Sequence, residues 1–484
     1  MSTVKAEPTT AVTPEPATTE GPSPGRSAGG GRRTGIFAPQ YRATTTGILL
    51  VITLIAFEAM AVATAMPRAV SSLHGLAFYG WAFTGTLMAN VVGVVLGGEV
   101  CDRTGARVPL LAGLGAFLAG LIVAGTAADM VIFIVARAIQ GFGGGLVIVA
   151  IYVVIAEVYD ESLRPRMFAA NSAAWVVPAL VGPVIAGALT EHVTWRAVFL
   201  AIAPFVAVGL VLIWPSVRSL PSRAAAGEAG PTLWRVALLA AVGIAAAQYA
   251  GEHLRWVSLA VLAAGVACLW LAVPRLLPAG TLRARHGLPA VIACRGLVAG
   301  SFMAVDAYVP LTLTKVHGYS PTSAGVPLMI GAIGWSAGSW LQGRLTRQPR
   351  TRMLRCGFTL IAIAAVAMSL LTFSAVPGWV AYIVWPVGGA GIGTVFPVLS
   401  VLLLEVSPPE ERGKNSSALT IGDTMMTSLT IGLGGTLVAA AEHGSIGLGP
   451  AVRLLDWAMA VIAVVGIVAA GRVAVRRARG PAAV

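Results

Sequence analysis

Long apolar runs recur along almost the whole sequence, and they constrain the fold more than any other feature. A bilayer core of about 30 Å is crossed by about 20 residues of α-helix. Runs of this kind can be placed at fourteen positions: 44–66, 78–99, 107–127, 129–154, 167–189, 197–215, 233–250, 256–274, 288–312, 321–342, 353–374, 378–404, 416–440 and 452–472. The runs predict an all-α polytopic membrane protein.

The composition favours lipid as the main solvent. Charged residues make up 11% of the chain and hydrophobic residues 57%, whereas soluble domains carry about 25% charged residues. The pI near 10.3 does not indicate nucleic-acid binding, because the basic residues lie in small groups between the apolar runs. The cysteines and histidines show no disulfide or metal-ligand spacing, and there is no GxxxxGK[ST] phosphate loop. We therefore expect no metal, no cofactor and no nucleic-acid partner.

The first 43 residues are rich in Pro, Thr, Ser, Gly and Ala and contain almost no large apolar residues. Such a segment cannot bury enough surface to fold. We predict a disordered tail over 1–43, without the apolar core and cleavage site of a signal peptide, and a second short tail over 473–484.

Positive residues are divided unequally between the two predicted sides of the membrane. With fourteen spans, 26 Lys and Arg residues lie on the side that holds both termini and five on the other side, while Arg137 and Arg295 fall within helices. Lys and Arg accumulate in cytoplasmic loops. The pattern predicts a multi-pass protein of the plasma (inner) membrane with both termini in the cytoplasm.

An internal repeat divides the chain into two halves. Three glycines, a Glu–Val pair and an Arg recur at an offset of 248: Gly141, Gly143, Gly145, Glu157–Val158 and Arg164 match Gly389, Gly391, Gly393, Glu405–Val406 and Arg412. Repeated halves with a site between them are typical of secondary transporters. We predict a six-helix bundle over 44–215, two intervening helices within 216–287 and a second six-helix bundle over 288–472.

The predicted spans 2 and 3 are joined by the motif GxxxDRxGxR. Its defining residues are Gly98, Asp102, Arg103, Gly105 and Arg107. Asp102 can cap the next helix or pair with an Arg, and the glycines permit a tight turn. A plain positively charged turn is the alternative interpretation.

Two further motifs lie inside predicted spans. Span 4 contains Arg137 in the pattern RxxQGxG, which includes Gln140. An Arg within a membrane helix is costly and marks a partner or a pathway, unless it extends to the nearer surface. Span 5 contains Gly182, Pro183 and Gly187, whose small or helix-interrupting residues allow close helix approach. Helix packing alone would also explain this second motif.

Acidic residues occur deep in two predicted spans. Glu58 lies nine positions before Pro67 in span 1, and Asp306 lies in span 9, the counterpart of span 1 in the second half. Apolar surroundings favour the neutral form of a carboxyl, which would allow proton exchange. For Glu58 the alternative is a structural carboxyl that pairs permanently with an Arg. Asp423 in span 13 is a weaker candidate.

Together, these motifs resemble the major facilitator superfamily and, more narrowly, its 14-helix drug:proton antiporters, over residues 44–472. The resemblance implies two six-helix bundles with two intervening helices, a gating role for the 98–107 motif, and Arg137 near a proton-coupling acid. The span 5 motif points to export. The sequence departs from the pattern at Ala186, where the family has Gly, and at Met60 and Ala63, where it has Thr and Asn.

On this basis we expect Glu58 and Asp306 to carry protons and Arg137 to adjust their proton affinity. The three residues lie roughly 9 to 13 Å from one end of their helices at 1.5 Å per residue, which is one level of a central cavity. Residues expected to line that cavity are Phe57, Gln140, Trp175, Tyr308, Trp335 and Trp385, with Trp81, Tyr152 and Phe302 as further aromatic candidates.

The sequence therefore predicts a proton-coupled secondary transporter that exports small amphiphilic molecules by alternating access. Its expected partners are a small-molecule substrate, protons and the lipid bilayer, and we expect a monomer. A dedicated exporter of one endogenous metabolite and a non-transporting membrane sensor are the alternatives. An enzyme is disfavoured, because the scattered histidines and acids form no cluster for acid–base or metal chemistry.

Overall fold

The computed structural model describes residues 35–218, 220, 233–253, 256–345 and 348–473. Most of the two predicted tails, 1–34 and 474–484, lies outside these residues. The long helices are α1 Arg42–Ser72, α2 Trp81–Thr104, α3 Arg107–Thr126, α4 Met130–Val158, α5 Arg164–His192, α6 Ala197–Arg218, α7 Leu233–Glu252, α8 Trp256–Leu276, α9 Leu288–Lys315, α10 Pro321–Arg344, α11 Arg350–Ser369, α12 Val380–Val406, α13 Arg412–Glu442 and α14 Leu448–Ala470.

Each predicted span coincides with one of these helices, so the all-α membrane fold is confirmed. In the part of the chain that the structure describes, thirteen helices are long and apolar enough to cross a membrane. The remaining long helix is α10, whose glycines and serines make it less apolar. Two helices are interrupted, α5 between Arg164–Ala173 and Val176–His192, and α6 between Ala197–Leu200 and Ala203–Arg218.

Several helices extend beyond their predicted ends. Helix α1 continues past Pro67 to Ser72, which membrane helices tolerate because neighbouring groups satisfy the freed backbone carbonyl. Helix α2 continues to Thr104. Gly98, Asp102 and Arg103 therefore lie in the last turns of a helix and not in a loop, and only Gly105, with φ of +81°, makes the turn into α3.

Helices α1–α6 pack in a pairwise pattern that α9–α14 repeat. In the first set α2 and α3 pack on α4, and α1 packs on α5 and α6; in the second set α10 and α11 pack on α12, and α9 packs on α13 and α14. The pattern agrees with the internal repeat of the sequence.

The repeated glycines explain why the two sets pack alike. In each triplet the first and third glycines contact the backbone of α2 (for α4) or α10 (for α12). The middle glycine contacts α3 or α11. A Cβ atom at any of them would collide with main-chain atoms, so only Gly permits this approach. The contacts are Gly141 with Thr86, Gly145 with Asn90, Gly143 with Gly113, Gly389 with Gly331, Gly393 with Trp335 and Gly391 with Gly357.

The two intervening helices, α7 and α8, pack on each other, and α7 also contacts α2 and α13. Polar side chains hold α7 against α2. Trp81 Nε1 donates to Glu252 Oε2 (2.6 Å), and Thr84 Oγ1 donates to Gln248 Oε1 (2.7 Å). The intervening pair is thus attached at the line where α2 and α13 meet.

The two ends of the helical assembly differ in how they join α1–α6 to α9–α14. We call the end at which α1 begins and α14 ends the terminal face, and the other end the opposite face. Between described residues, every side-chain hydrogen bond that joins the two sets lies toward the opposite face. These bonds run from Lys315 Nζ to Ser71 Oγ (2.9 Å), from Thr322 to the Glu191 carboxylate (2.5 Å from Oγ1) and from Tyr79 OH to the Ala307 carbonyl (2.7 Å).

Candidate functional site

Glu58 and Arg137 form a buried ion pair between α1 and α4. Arg137 Nη1 donates to Glu58 Oε1 and to Gln140 Oε1 (2.8 Å), and its Nε donates to the Ala82 carbonyl (3.2 Å). Glu58 is 4% exposed and Arg137 is 3% exposed. The guanidinium therefore has a carboxylate, an amide and a main-chain partner. It does not extend to a surface.

Asp306 of α9 has a different environment. Its Oδ1 accepts a hydrogen bond from Trp385 Nε1 of α12 (2.8 Å). No Lys, Arg or His among the described residues forms an ion pair with it. The Trp385 ring stacks on Phe302 with centroids 4.7 Å apart. The carboxyl is thus held by a neutral donor between aromatic side chains.

These two carboxyl sites are related by the internal repeat. Glu58 and Asp306 differ by the same 248 positions as the glycine triplets, and so do Arg137 and Trp385. Each acid consequently lies 79 positions before its donor. The sequence motifs did not reveal this relation between Arg137 and Trp385. Applying the repeat offset to Arg137 would have found it.

Asp306 lines a cavity of about 260 Å³ between α1, α5, α9 and α10. Other residues that line it are Met60, Trp175, Val176, Ala179, Pro183, Phe302, Met303, Leu328, Ala332, Trp335 and Ser336. The lining is mostly apolar and aromatic, with Asp306 as its acidic group. It includes two of the predicted aromatic residues, Trp175 and Trp335, and the proline of the α5 motif. A pocket of this kind suits an apolar or amphiphilic molecule.

The other predicted cavity residues lie outside this lining. Tyr308 is buried, donates to the Ile431 carbonyl (2.8 Å) and packs on Tyr79. The Gln140 side-chain oxygen accepts a hydrogen bond from Arg137. Phe57 lies beside Gly182 of α5. Trp385 is 1% exposed and donates to Asp306.

Among the further aromatic candidates, only Phe302 lines the cavity. Trp81 is bound to Glu252 of α7. Tyr152 is 46% exposed and packs edge-on against Phe168 near the terminal face.

The GxxxDRxGxR residues lie at the terminal face, away from the cavity. Asp102 and Arg103 are exposed and make no hydrogen bond or ion pair within the described ranges. Helix α3 begins after Ala106 without a side-chain cap, so Asp102 does not cap it. Arg107 lies over the Trp214 ring at 5.6 Å.

The α5 motif lies where the two helix sets meet. A Cβ atom at Gly187 would be 2.5 Å from Thr322 Cα of α10, and the Pro183 carbonyl lies against Gly325 of the same helix. Gly182 leaves ordinary space beside Met60 and Phe57. Close approach between α5 and α10 is therefore the direct physical consequence of this motif.

Two more carboxyls in the helices of the second set are at least partly buried. Asp423 accepts a hydrogen bond from Arg295 Nε (2.9 Å), and that guanidinium lies 3.3 Å from the centroid of the Phe396 ring. Asp456 of α14, which the sequence analysis missed, is 2% exposed and makes no hydrogen bond or ion pair with another described residue. Asp456 could have been identified from the sequence as an acidic residue within an otherwise apolar predicted span. In the described ranges no three His, Cys, Asp or Glu residues lie close enough to hold a metal ion.

A duplicated helical fold with a cavity between its halves is typical of secondary transporters. The sequence matches the profile of the Major Facilitator Superfamily over residues 48–429. The chain therefore belongs to this superfamily of transporters, and nothing in the comparisons indicates a catalytic family.

Similar proteins include named multidrug transporters. A Mycobacterium tuberculosis protein named "Probable multidrug-efflux transporter" is 25% identical, with 86% of this chain and 91% of that protein covered. The multidrug transporter protein MdtP of Bacillus subtilis is 26% identical, with 81% and 76% covered. In structure, a POT family transporter crystallised with a thioalcohol-conjugated peptide has a TM-score of 0.66 at 15% identity, over 89% of this chain and 96% of that one. This last likeness concerns the fold.

Proposed function

We propose that this protein exports small amphiphilic molecules in exchange for protons, by alternating access, as a monomer of the plasma membrane. In this proposal the terminal face is cytoplasmic, as the distribution of Lys and Arg predicts. The multidrug names of the similar proteins support efflux. The apolar and aromatic cavity lining supports an amphiphilic substrate.

The observation that carries the proposal is the environment of Asp306. It is an acidic group on an apolar cavity, and its hydrogen-bond donor is the neutral indole of Trp385. A carboxylate without a cation partner is costly in such surroundings, and taking up a proton removes the charge. A cationic substrate in the cavity would instead stabilise the carboxylate. Proton and substrate therefore compete for one group, which is the requirement for antiport.

Glu58 has a different part in this proposal. Its charge is balanced by Arg137, and the same guanidinium is fixed by Gln140 and Ala82. Protonating Glu58 would leave a buried guanidinium without a counter-charge, which is strongly unfavourable. We therefore assign proton exchange to Asp306 and treat Glu58–Arg137 as a fixed connection between α1 and α4. This is the structural interpretation of Glu58 that the sequence left open.

The contacts between the helix sets support the direction of the proposed cycle. In the present structure the bonds that join the two sets lie toward the opposite face, so substrate would enter from the terminal face. Substrate binding displaces the Asp306 proton, and the bundles 44–215 and 288–472 then rock as units. A proton from the outside displaces the substrate and resets the carrier. The exposed Asp102 and Arg103 would join the bundles when the terminal face closes.

The test is compound-driven proton flux in proteoliposomes, with a panel of cationic and neutral lipophilic compounds. We expect flux with wild-type protein, loss of flux with Asp306→Asn, and retained flux with Glu58→Gln wherever that variant is folded. Coupled flux that survives Asp306→Asn would overturn the assignment of the proton site. Absence of flux across the panel from folded wild-type protein would favour a dedicated metabolite exporter.

A further inference from the structure

A second cavity lies at the terminal face, remote from the substrate cavity. It is a groove of about 400 Å³ between the segment that follows α8 and the helices α9, α13 and α14. Its walls are mainly apolar, with Leu277, Ile292, Leu297, Met426 and Val465 among them. A groove of this size and lining matches an acyl chain.

Arginines surround the mouth of the groove. Arg283 and Arg472 line it, and Arg285 lines a smaller adjoining depression of about 230 Å³. All three side chains are exposed. The sequence contains no Asp or Glu from Trp256 to Val305 and none after Asp456. The mouth of the groove is therefore positive, and the chain segments that carry these arginines hold no neutralising carboxylate.

The segment that follows α8 is held in one conformation by its backbone. Gly280, Ala284 and Gly287 have φ of +91°, +44° and +84°, and a left-handed Ala is unusual enough to indicate a constrained turn. Arg472 Nη1 donates to the Arg283 carbonyl (2.9 Å), and the Gly287 amide donates to the Arg472 carbonyl (3.2 Å). The segment that carries Arg283 is thus bound to the end of α14, where Arg472 lies.

Two exposed apolar side chains lie beside these arginines. Leu282, which precedes Arg283 and lines the groove with it, is 76% exposed. Val468 of α14, also in the groove lining, is 62% exposed. Exposed apolar side chains next to exposed arginines are what a surface at the boundary between acyl chains and headgroups requires.

We propose that this groove binds one anionic phospholipid, with an acyl chain between α9, α13 and α14 and the phosphate held by Arg283 and Arg472. Arginine pairs with phosphate in a bidentate manner, and basic pockets between membrane helices on the cytoplasmic side favour anionic headgroups. The bound lipid would fasten the segment after α8 to the second bundle. The proposal does not depend on the proton site or on the transported substrate.

Native mass spectrometry of the detergent-purified protein tests this site. Phosphatidylglycerol and phosphatidylcholine with identical acyl chains are added separately, and retained lipid is counted. We expect wild-type protein to retain phosphatidylglycerol in preference to phosphatidylcholine. The double variant Arg283→Gln/Arg472→Gln should bind phosphatidylglycerol about 30-fold more weakly, given the usual contribution of each Arg near an anionic headgroup.

Two further variants make the result decisive. Arg166→Gln/Arg412→Gln removes two exposed arginines from the same face outside the groove and should bind lipid as wild type does. Ala293→Leu fills the groove without changing charge and should also reduce retention. Equal retention of both lipids by wild type, an equal loss in both double variants, or unchanged binding in Ala293→Leu would each overturn the proposal.

Discussion

Glu58 and Asp306 occupy equivalent positions in the two halves, yet their surroundings differ. In the first half the Arg137 guanidinium binds the Glu58 carboxylate, the Gln140 amide oxygen and the Ala82 carbonyl, and all four residues are buried. In the second half an indole N–H is the donor to Asp306, and the acid lines the cavity between α1, α5, α9 and α10.

The two halves of a duplicated fold can therefore differ in function although their helices pack alike. Both halves keep an acid in the first helix and its donor in the fourth helix. Replacing the cationic donor with a neutral one changes a fixed ion pair into a group whose charge has no counter-ion. Under the proposed function, the change of donor from Arg137 to Trp385 separates a structural carboxyl from a proton-exchanging one.

The largest expected effect is on stability in the first half. Arg137→Gln leaves the Glu58 carboxylate buried without a cation, and breaking a buried pair in this way costs about 3–5 kcal/mol. Thermal unfolding in detergent should register a large loss. The double variant Arg137→Gln/Glu58→Gln should recover much of it, because no unpaired charge remains. If the single and double variants unfold together, Glu58 is not held as a carboxylate by Arg137.

A smaller effect on stability is expected from the repeated glycines. Gly141→Ala and Gly389→Ala both place a Cβ atom against main-chain carbonyls of a neighbouring helix, which should cost about 1–3 kcal/mol as overpacking. Gly144→Ala is the matched control, since its Cβ atom would lie at an ordinary 3.7 Å from Asn90 Nδ2. Equal unfolding temperatures for Gly141→Ala, Gly389→Ala and Gly144→Ala would show that the repeat does not set helix spacing.

The smallest expected effect concerns the donor of the second half. Trp385→Phe keeps an aromatic ring but removes the N–H that binds Asp306. A hydrogen bond is worth about 1 kcal/mol net, so compound-driven proton flux should fall about fivefold. Trp335→Phe alters a cavity ring that makes no hydrogen bond with other described residues, and it should change flux less. A larger loss with Trp335→Phe would make ring contact with substrate the dominant factor.

Much of the fold could be predicted from the sequence because lipid imposes a simple rule on it. Helices that cross a membrane must be largely apolar, so the fourteen runs could be identified in the sequence. The repeated glycine triplets indicated the duplication. Asp102 and Arg103 were misplaced in a loop, because the apolar run of span 2 ends at 99 and the helix continues to Thr104.

The site was harder to predict than the fold. Motifs identified Glu58, Arg137 and Asp306, but not which of the two acids the guanidinium would bind. Tyr308 was predicted to line the cavity because it is aromatic and deep in α9, yet its hydroxyl bonds to α13. Which face of a buried helix points to the cavity depends on packing against several neighbours, and apolar residues occur on every face.

Our main proposal is that Asp306, and not Glu58, releases a proton when substrate binds. It is tested most directly by proton release on compound binding, followed with a pH indicator in weakly buffered detergent solution. We expect wild-type and Glu58→Gln proteins to release protons when compound is added, and Asp306→Asn to release none. Release that persists in Asp306→Asn but disappears in folded Glu58→Gln would contradict it.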